Sequence, residues 1–181
     1  MADNTAHSPA LYKLRKVTRI AALVILLLVV MGFFLPAEYR VERSIVVDAS
    51  RQEVFSSMLQ GDNLSDWMYI QNGQVEVFDG ELTVGDRVAL FYSDVEQQGF
   101  LSVTNKSNYT VLFDVQPKPK VNLVKNTIAL TEVAEGTLVQ WTINGTLSAG
   151  LLSPYLAMFA NDIAGSNFER SLSALKEQIE Q

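Results

Sequence analysis

Sixteen consecutive positions from Ile20 to Leu35 carry no charged or strongly polar side chain. They are apolar all round rather than along one stripe, which suits hydrocarbon on every side better than a single packed face. At ~1.5 Å per residue the run makes about 24 Å of helix, and Val17, Thr18, Pro36 and Ala37 lengthen it toward the ~30 Å of a bilayer core. One transmembrane helix is therefore expected over residues 20–37, behind a polar head of residues 1–19. The period then changes at once. Val41, Arg43, Ile45 and Val47 alternate with a polar set that only Val46 interrupts, so a strand is expected over 40–47.

Ser50, three residues before Glu53, forms a capping box, and Val54, Phe55, Met58 and Leu59 follow at helical spacing. They predict a short helix over 51–60 that Gly61 stops, with a second helical piece around Asn63–Met68. Beyond Asn72-Gly73 come six strand-like runs. They are parted by turn chemistry at Asp79-Gly80, Gly85, Gln98-Gly99, Lys106-Ser107, Pro117–Pro119 and Glu135-Gly136. Strands so closely spaced, with no helix between them, imply an antiparallel meander. Tyr155, Phe159, Ile163, Phe168, Leu172, Leu175 and Ile179 then fall on one stripe of a long helix over 153–179, with Ser153 as its cap and Pro154 in its first turn. Gly165 breaks the stripe; close packing against the sheet and a bend that makes room for a ligand both fit it. Only this helix is long enough to cover a curved sheet, and the curvature leaves space for a cavity between the two.

Composition removes much chemistry. There is no cysteine, so disulfides, thiolate metal sites and a thiol nucleophile are excluded. The single histidine, His7, lies in the head, which leaves the domain without a His base, triad or metal cluster. Charge divides unevenly: residues 1–36 carry Lys13, Arg15, Lys16 and Arg19 against Asp3, whereas the remainder carries ten basic and nineteen acidic residues. A domain that acidic repels phosphate backbones, so no nucleic-acid partner is expected. The basic cluster before the apolar run places the N-terminus in the cytoplasm and the C-terminal domain in the periplasm or outside the cell. Leu35 stands where a signal peptidase wants a small residue, so the segment is expected to stay as a signal-anchor. Asp62 and Asp66, Glu132 and Glu135, and Glu76 and Asp79 flank loops or turns, and nothing puts two of these carboxylates in one apolar pocket. No cofactor and no metal are expected.

The stretch "YRVERSIVVDASRQEVFSSMLQGDNLSDW", the strands "GDRVAL" and "EGTLVQWTINGTL", and the closing helix "SLSALKEQIE" resemble the START/Bet v 1-like helix-grip superfamily (SRPBCC). The similarity is greatest to its polyketide cyclase/dehydrase and lipid transport branch, in members with an N-terminal membrane anchor. It covers roughly Tyr39 to Gln181 and rests on packing and turn residues rather than on a catalytic signature. The resemblance implies an α+β helix-grip fold: about seven antiparallel strands curved around a long C-terminal helix, with a hydrophobic cavity that binds lipids, sterols or polyketides in many members. Where many relatives carry a second Trp and a Pro after the first Trp, this chain has Met68, Tyr69 and Ile70; where their middle strands carry Gly-x-Gly and Trp-Gly turns, it reads "LTVGDRVALFYSDVEQQG". A differently shaped cavity mouth is implied.

The domains are thus expected as a head (1–19), a single transmembrane helix (20–37) and a START-like domain (38–181). Alternation places Leu90 and Tyr92, Tyr109 and Phe113, and Trp141 on inward faces, since the opposite face of the Phe113 strand would bury Asp114. With Trp67 after the short helices and Tyr155, Phe159 and Ile163 on the helical stripe, these nine are the candidate cavity wall; plain core is the competing reading for each. The leading functional reading is membrane-tethered binding of a hydrophobic small molecule or lipid, handed on to a membrane-protein partner. A protein-interaction or regulatory domain with a closed core, and a cyclase-like or hydrolase-like enzyme, are the alternatives.

Overall fold

The structure is a computed structural model and describes residues 9–181 except 94, 120 and 148, with the backbone alone at residues 9–11, 95 and 163. Residues 1–8 of the head, with His7, lie outside the described residues. Helix α1 (Pro9–Phe34) is followed within four residues by strand β1 (Glu38–Val47). Tyr12–Phe34 is long and apolar enough to cross a membrane, and hardly any of that span is buried within the protein.

After β1 come α2 (Arg51–Leu59) and α3 (Gly61–Trp67). Six strands follow: β2 (Gly73–Val75), β3 (Arg87–Tyr92), β4 (Val95–Ser107), β5 (Thr110–Gln116), β6 (Val124–Val133) and β7 (Gly136–Thr146). A 3-10 turn (Gly150–Leu152) leads to α4 (Ser153–Met158) and α5 (Ala160–Ile179). The sheet runs in the order β1-β7-β6-β5-β4-β3-β2 with every pair antiparallel, so the meander β2–β7 is extended by β1 at its far edge. Register shifts near Phe91 and Thr104 bend β3 and β4 and add to the curvature.

Alternation decides which face is concave. Val111 and Phe113 on β5, Val139, Trp141 and Ile143 on β7, and Val41 and Val47 on β1 are buried beneath α5. Leu172 and Leu175 reach this core from α5 at 1% and 0% exposure. Burying two such side chains contributes ~3–6 kcal/mol, enough to hold the helix on the sheet. Ser50 caps α2 as expected, its Oγ accepting the Glu53 N–H at 3.3 Å.

Several expectations are corrected. Gln98-Gly99 is not a turn: β4 already begins at Val95, and Gly99 is buried opposite Leu90. A Cβ on Gly99 would stand 2.4 Å from the Pro117 carbonyl oxygen, so this glycine serves close strand approach. The first short helix does stop before Gly61, with Gln60 extended between the two; the second begins at Gly61 rather than at Asn63. The terminal helix is not continuous. It breaks at Phe159, whose N–H returns to Leu156 in a 3-10-like step. The neighbours differ on the two sides of the break: α4 lies beside α1 and β1, whereas α5 packs on β1, α2 and α3. Ser153 does not cap either helix; it sits buried inside α4, and its Oγ accepts the Ala149 N–H at 2.7 Å.

Candidate functional site

A pocket of about 260 Å³ lies between the concave face and the first half of α5. The sheet supplies Tyr39 from β1, Leu90 and Tyr92 from β3, Phe113 and Val115 from β5, Val124 and Asn126 from β6, and Trp141 and Ile143 from β7. Ala164, Asn167 and Phe168 close it from the helix, and Met68–Gln71 from the segment after α3. No Asp, Glu, Lys or Arg stands among these lining residues. The register Glu38↔Thr146, Lys125↔Asn144 and Val115↔Val124 puts them toward the end of the sheet where β1 leaves α1.

Trp141 organises the wall. Its ring centroid is 4.8 Å from Phe168, 6.0 Å from Phe113 and 5.9 Å from Trp67, the last edge-to-face. Its indole N–H donates to Asn126 Oδ1 at 3.0 Å, while Asn126 Nδ2 donates to the Val124 carbonyl at 2.9 Å. Asn126 is 4% exposed, a polar side chain held inside an apolar wall by these two bonds. Tyr39 is half-buried against Gly145, where a Cβ would stand 2.4 Å from the phenol oxygen. Burial pushes the Tyr39 pKa up, so its hydroxyl remains a donor at neutral pH. Arg170 covers the Tyr69 ring at 3.9 Å and Lys118 the Tyr92 ring at 5.5 Å.

Of the nine residues chosen from sequence, Leu90, Tyr92, Phe113 and Trp141 come together around this pocket. Trp67 stands behind it, 2% exposed against Trp141. Three do not reach it. Tyr109 sits in the β4–β5 turn at φ 61°, stacked edge-on with Phe55, with Arg51 over its ring and its hydroxyl donating to Gln52. Tyr155 turns to α1 and donates to the Leu28 carbonyl. Phe159 is 57% exposed at the helix break. The Ile163 side chain lies outside the described residues.

Sequence reasoning missed Tyr39 and Asn126 as wall residues. Tyr39 continues the inward alternation of Val41, and Asn126 occupies the same face of β6 as Ile128 and Leu130, so a lone polar residue in an inward register was the available signal. Met68, Tyr69 and Ile70, the departure from the relatives' Trp and Pro, do line the pocket. Gly165 is buried because Arg43 crosses it: a Cβ there would fall 1.9 Å from an Arg43 guanidinium nitrogen. That guanidinium donates to Glu169 at 2.6 Å, to the Asn161 side chain at 2.8 Å and to the Asn161 carbonyl at 3.0 Å.

A curved seven-stranded antiparallel sheet closed by a long C-terminal helix over such a pocket is the helix-grip architecture. The chain belongs to the polyketide cyclase / dehydrase and lipid transport family, which residues 38–180 match. Among solved structures it is similar to protein CV1439 from Chromobacterium violaceum, at 14% identity and a TM-score of 0.61 over 79% of this chain and 99% of that one. A Staphylococcus aureus protein of unknown function, SA2116, aligns at 13% identity and a TM-score of 0.64, over 79% of this chain and 94% of its own. Ms6760 from Mycobacterium smegmatis aligns at 16% identity and a TM-score of 0.56, over 77% and 89%. At these identities the likeness is one of fold. No curated protein matches the chain closely enough to carry a comparison.

Proposed function

We propose that this is a membrane-tethered protein that holds a hydrophobic small molecule or a lipid chain between its sheet and its C-terminal helix. Residues 1–19 form a cytoplasmic head, 20–37 the single span, and 38–181 the binding domain on the other side. The observation that carries the reading is the pocket itself: about 260 Å³, free of charged side chains in its lining, with one buried amide at Asn126. Ligand sites are typically ~300–1,000 Å³, apolar with a few placed polar groups, so this one suits a single chain or a small ring system. Its lining residues include no Asp, Glu, His, Lys or Arg, which favours binding over acid–base work. The family description, with its lipid transport, supports the same class of ligand.

Native mass spectrometry of the full-length protein extracted from membranes tests it. The unmodified chain is expected to retain an apolar adduct, and Ala164→Phe, which puts a ring into the pocket, is expected to lose it while unfolding cooperatively. Ile143→Phe blocks the opposite wall if the helix variant is unstable. An adduct-free chain that also fails to bind a fluorescent fatty acid would overturn ligand binding in favour of an interaction domain.

A further inference from the structure

The segment between β7 and α5 is unusual for a domain this acidic. From Gly136 to Asn161 there is no charged residue, and five large apolar side chains are exposed within nine positions: Leu151, Leu152, Leu156, Met158 and Phe159, at 42–71%. An exposed cluster of that size marks a contact surface rather than scattered surface apolarity.

Its position says what covers it. The segment lies alongside the apolar helix, not on the far side of the domain. The Tyr155 hydroxyl donates to the Leu28 carbonyl, and a Cβ on Gly32 would stand 3.2 Å from the Leu151 carbonyl oxygen and 3.5 Å from the Tyr155 ring. Gly32 is what lets the two approach. Leu28 precedes the end of α1 by six residues, about 9 Å of helix. Interfacial helices bury their apolar faces ~5–10 Å into the headgroup–acyl boundary, which is this depth. Leu147, where the segment starts, donates its N–H to Ala37 at 3.0 Å, so chain leaving the sheet meets chain leaving the apolar helix. Two of its polar side chains find partners away from water, Ser153 Oγ accepting the Ala149 N–H and the Tyr155 hydroxyl donating to Leu28 on α1, which suits a lipid environment.

The geometry points to a second membrane contact: the 3-10 turn and α4 enter the leaflet into which α1 emerges, with Leu151, Leu152, Leu156, Met158 and Phe159 in its lipid. The inference rests on the reading of α1 as a membrane span. It gives the break at Phe159 a role, because α4 then belongs to the bilayer and α5 to the sheet. It also places the pocket, whose helical wall begins at Ala164, next to the source of an apolar ligand, which passes between leaflet and pocket without crossing bulk water.

The chain has no cysteine, so single labels are clean. Full-length Leu152→Cys and Met158→Cys, carrying an environment-sensitive nitrobenzoxadiazole label, are reconstituted into phosphatidylcholine–phosphatidylglycerol vesicles. Leu23→Cys in α1 and Glu132→Cys at the opposite end of the sheet are the references. Labels at 152 and 158 are expected to be quenched by nitroxide on lipid chains and to be several-fold less accessible to iodide than the label at 132. Iodide access equal to that at 132, with the label at 23 still quenched by lipid, would overturn the second contact and leave the anchor standing. Protection from iodide without lipid quenching, growing with protein-to-lipid ratio, would overturn it in favour of a second copy of the chain. A label at 23 that lipid does not quench would remove the membrane span and this inference with it.

Discussion

Gly165 and Arg43 form a pair that neither residue explains alone. Arg43 points to the concave side of β1, and its cost there is offset by bonds to Glu42, Asn161 and Glu169. Its side chain is 23% exposed, so these bonds are partly shielded from water. Gly165→Ala gains ~1 kcal/mol of helix propensity but displaces the guanidinium, whose lost bonds cost ~1–3 kcal/mol. Denaturant unfolding should therefore show net loss in the natural background and net gain in Arg43→Ser, a reversal of sign that simple helix propensity cannot produce. Asn126 offers a second case. Asn126→Leu orphans the Trp141 indole N–H in a buried site and is expected to cost ~1–3 kcal/mol; in Trp141→Phe, which has no N–H to orphan, the cost should shrink.

At the scale of elements, the end of α5 is tied to the chain leaving β1 by a carboxylate. Glu180 accepts the Asp48 N–H at 2.7 Å and pairs with Lys176 at 2.9 Å, while Lys176 also donates to the Val46 carbonyl at 2.7 Å. The Asp48 N–H first, and Lys176 after it, lower the Glu180 pKa below its ordinary 4.5. A carboxyl whose folded pKa is depressed adds stability that is present above the unfolded value and lost as pH falls through the folded one. The stability difference between the natural chain and Glu180→Gln should thus be constant near neutrality and fade as pH drops below about 4.5. A thermal unfolding series against pH reads it. The same scale explains why α4 and α5 are two helices. One apolar stripe was legible across both, yet Phe159 lies on it and still faces outward, at the break where α4, packed beside α1 and β1, gives way to α5 on the sheet.

For the whole molecule the proposed span carries a testable orientation. Lys13, Arg15, Lys16 and Arg19 lie in the first part of α1 and precede its apolar stretch. The positive-inside rule then predicts a cytoplasmic N-terminus and a C-terminal domain across the membrane. Fusing a reporter active only in the cytoplasm to Gln181 should yield no signal, whereas one active only outside it should report; the opposite pair of results would invert the topology. Only residues 35–37 separate α1 from β1, so the domain stays close to the end of the apolar helix.

Local chemistry was enough for much of this. The uniform apolarity of residues 20–35, the cap at Ser50, the alternation of Val111, Phe113 and Val115, and the terminal stripe each follow from a side chain's preference for water, hydrocarbon or a nearby amide. These preferences are short-range, and the pattern keeps a record of them. What the tertiary structure alone decided involves partners far apart in the chain. Gly99 looked like a turn because turn and close-approach glycines read alike until Pro117 is seen against one of them. Tyr109 alternated inward but was claimed by Phe55, Arg51 and Gln52 at the far end of the sheet. Asn126 became part of a pocket wall only because Trp141, fifteen residues on, brought an N–H to it. Tyr155 left the stripe for a carbonyl 127 residues earlier, on the apolar helix. A residue's period announces which face it takes; which surface meets that face is settled by packing, and the pocket exists only where those meetings leave a gap.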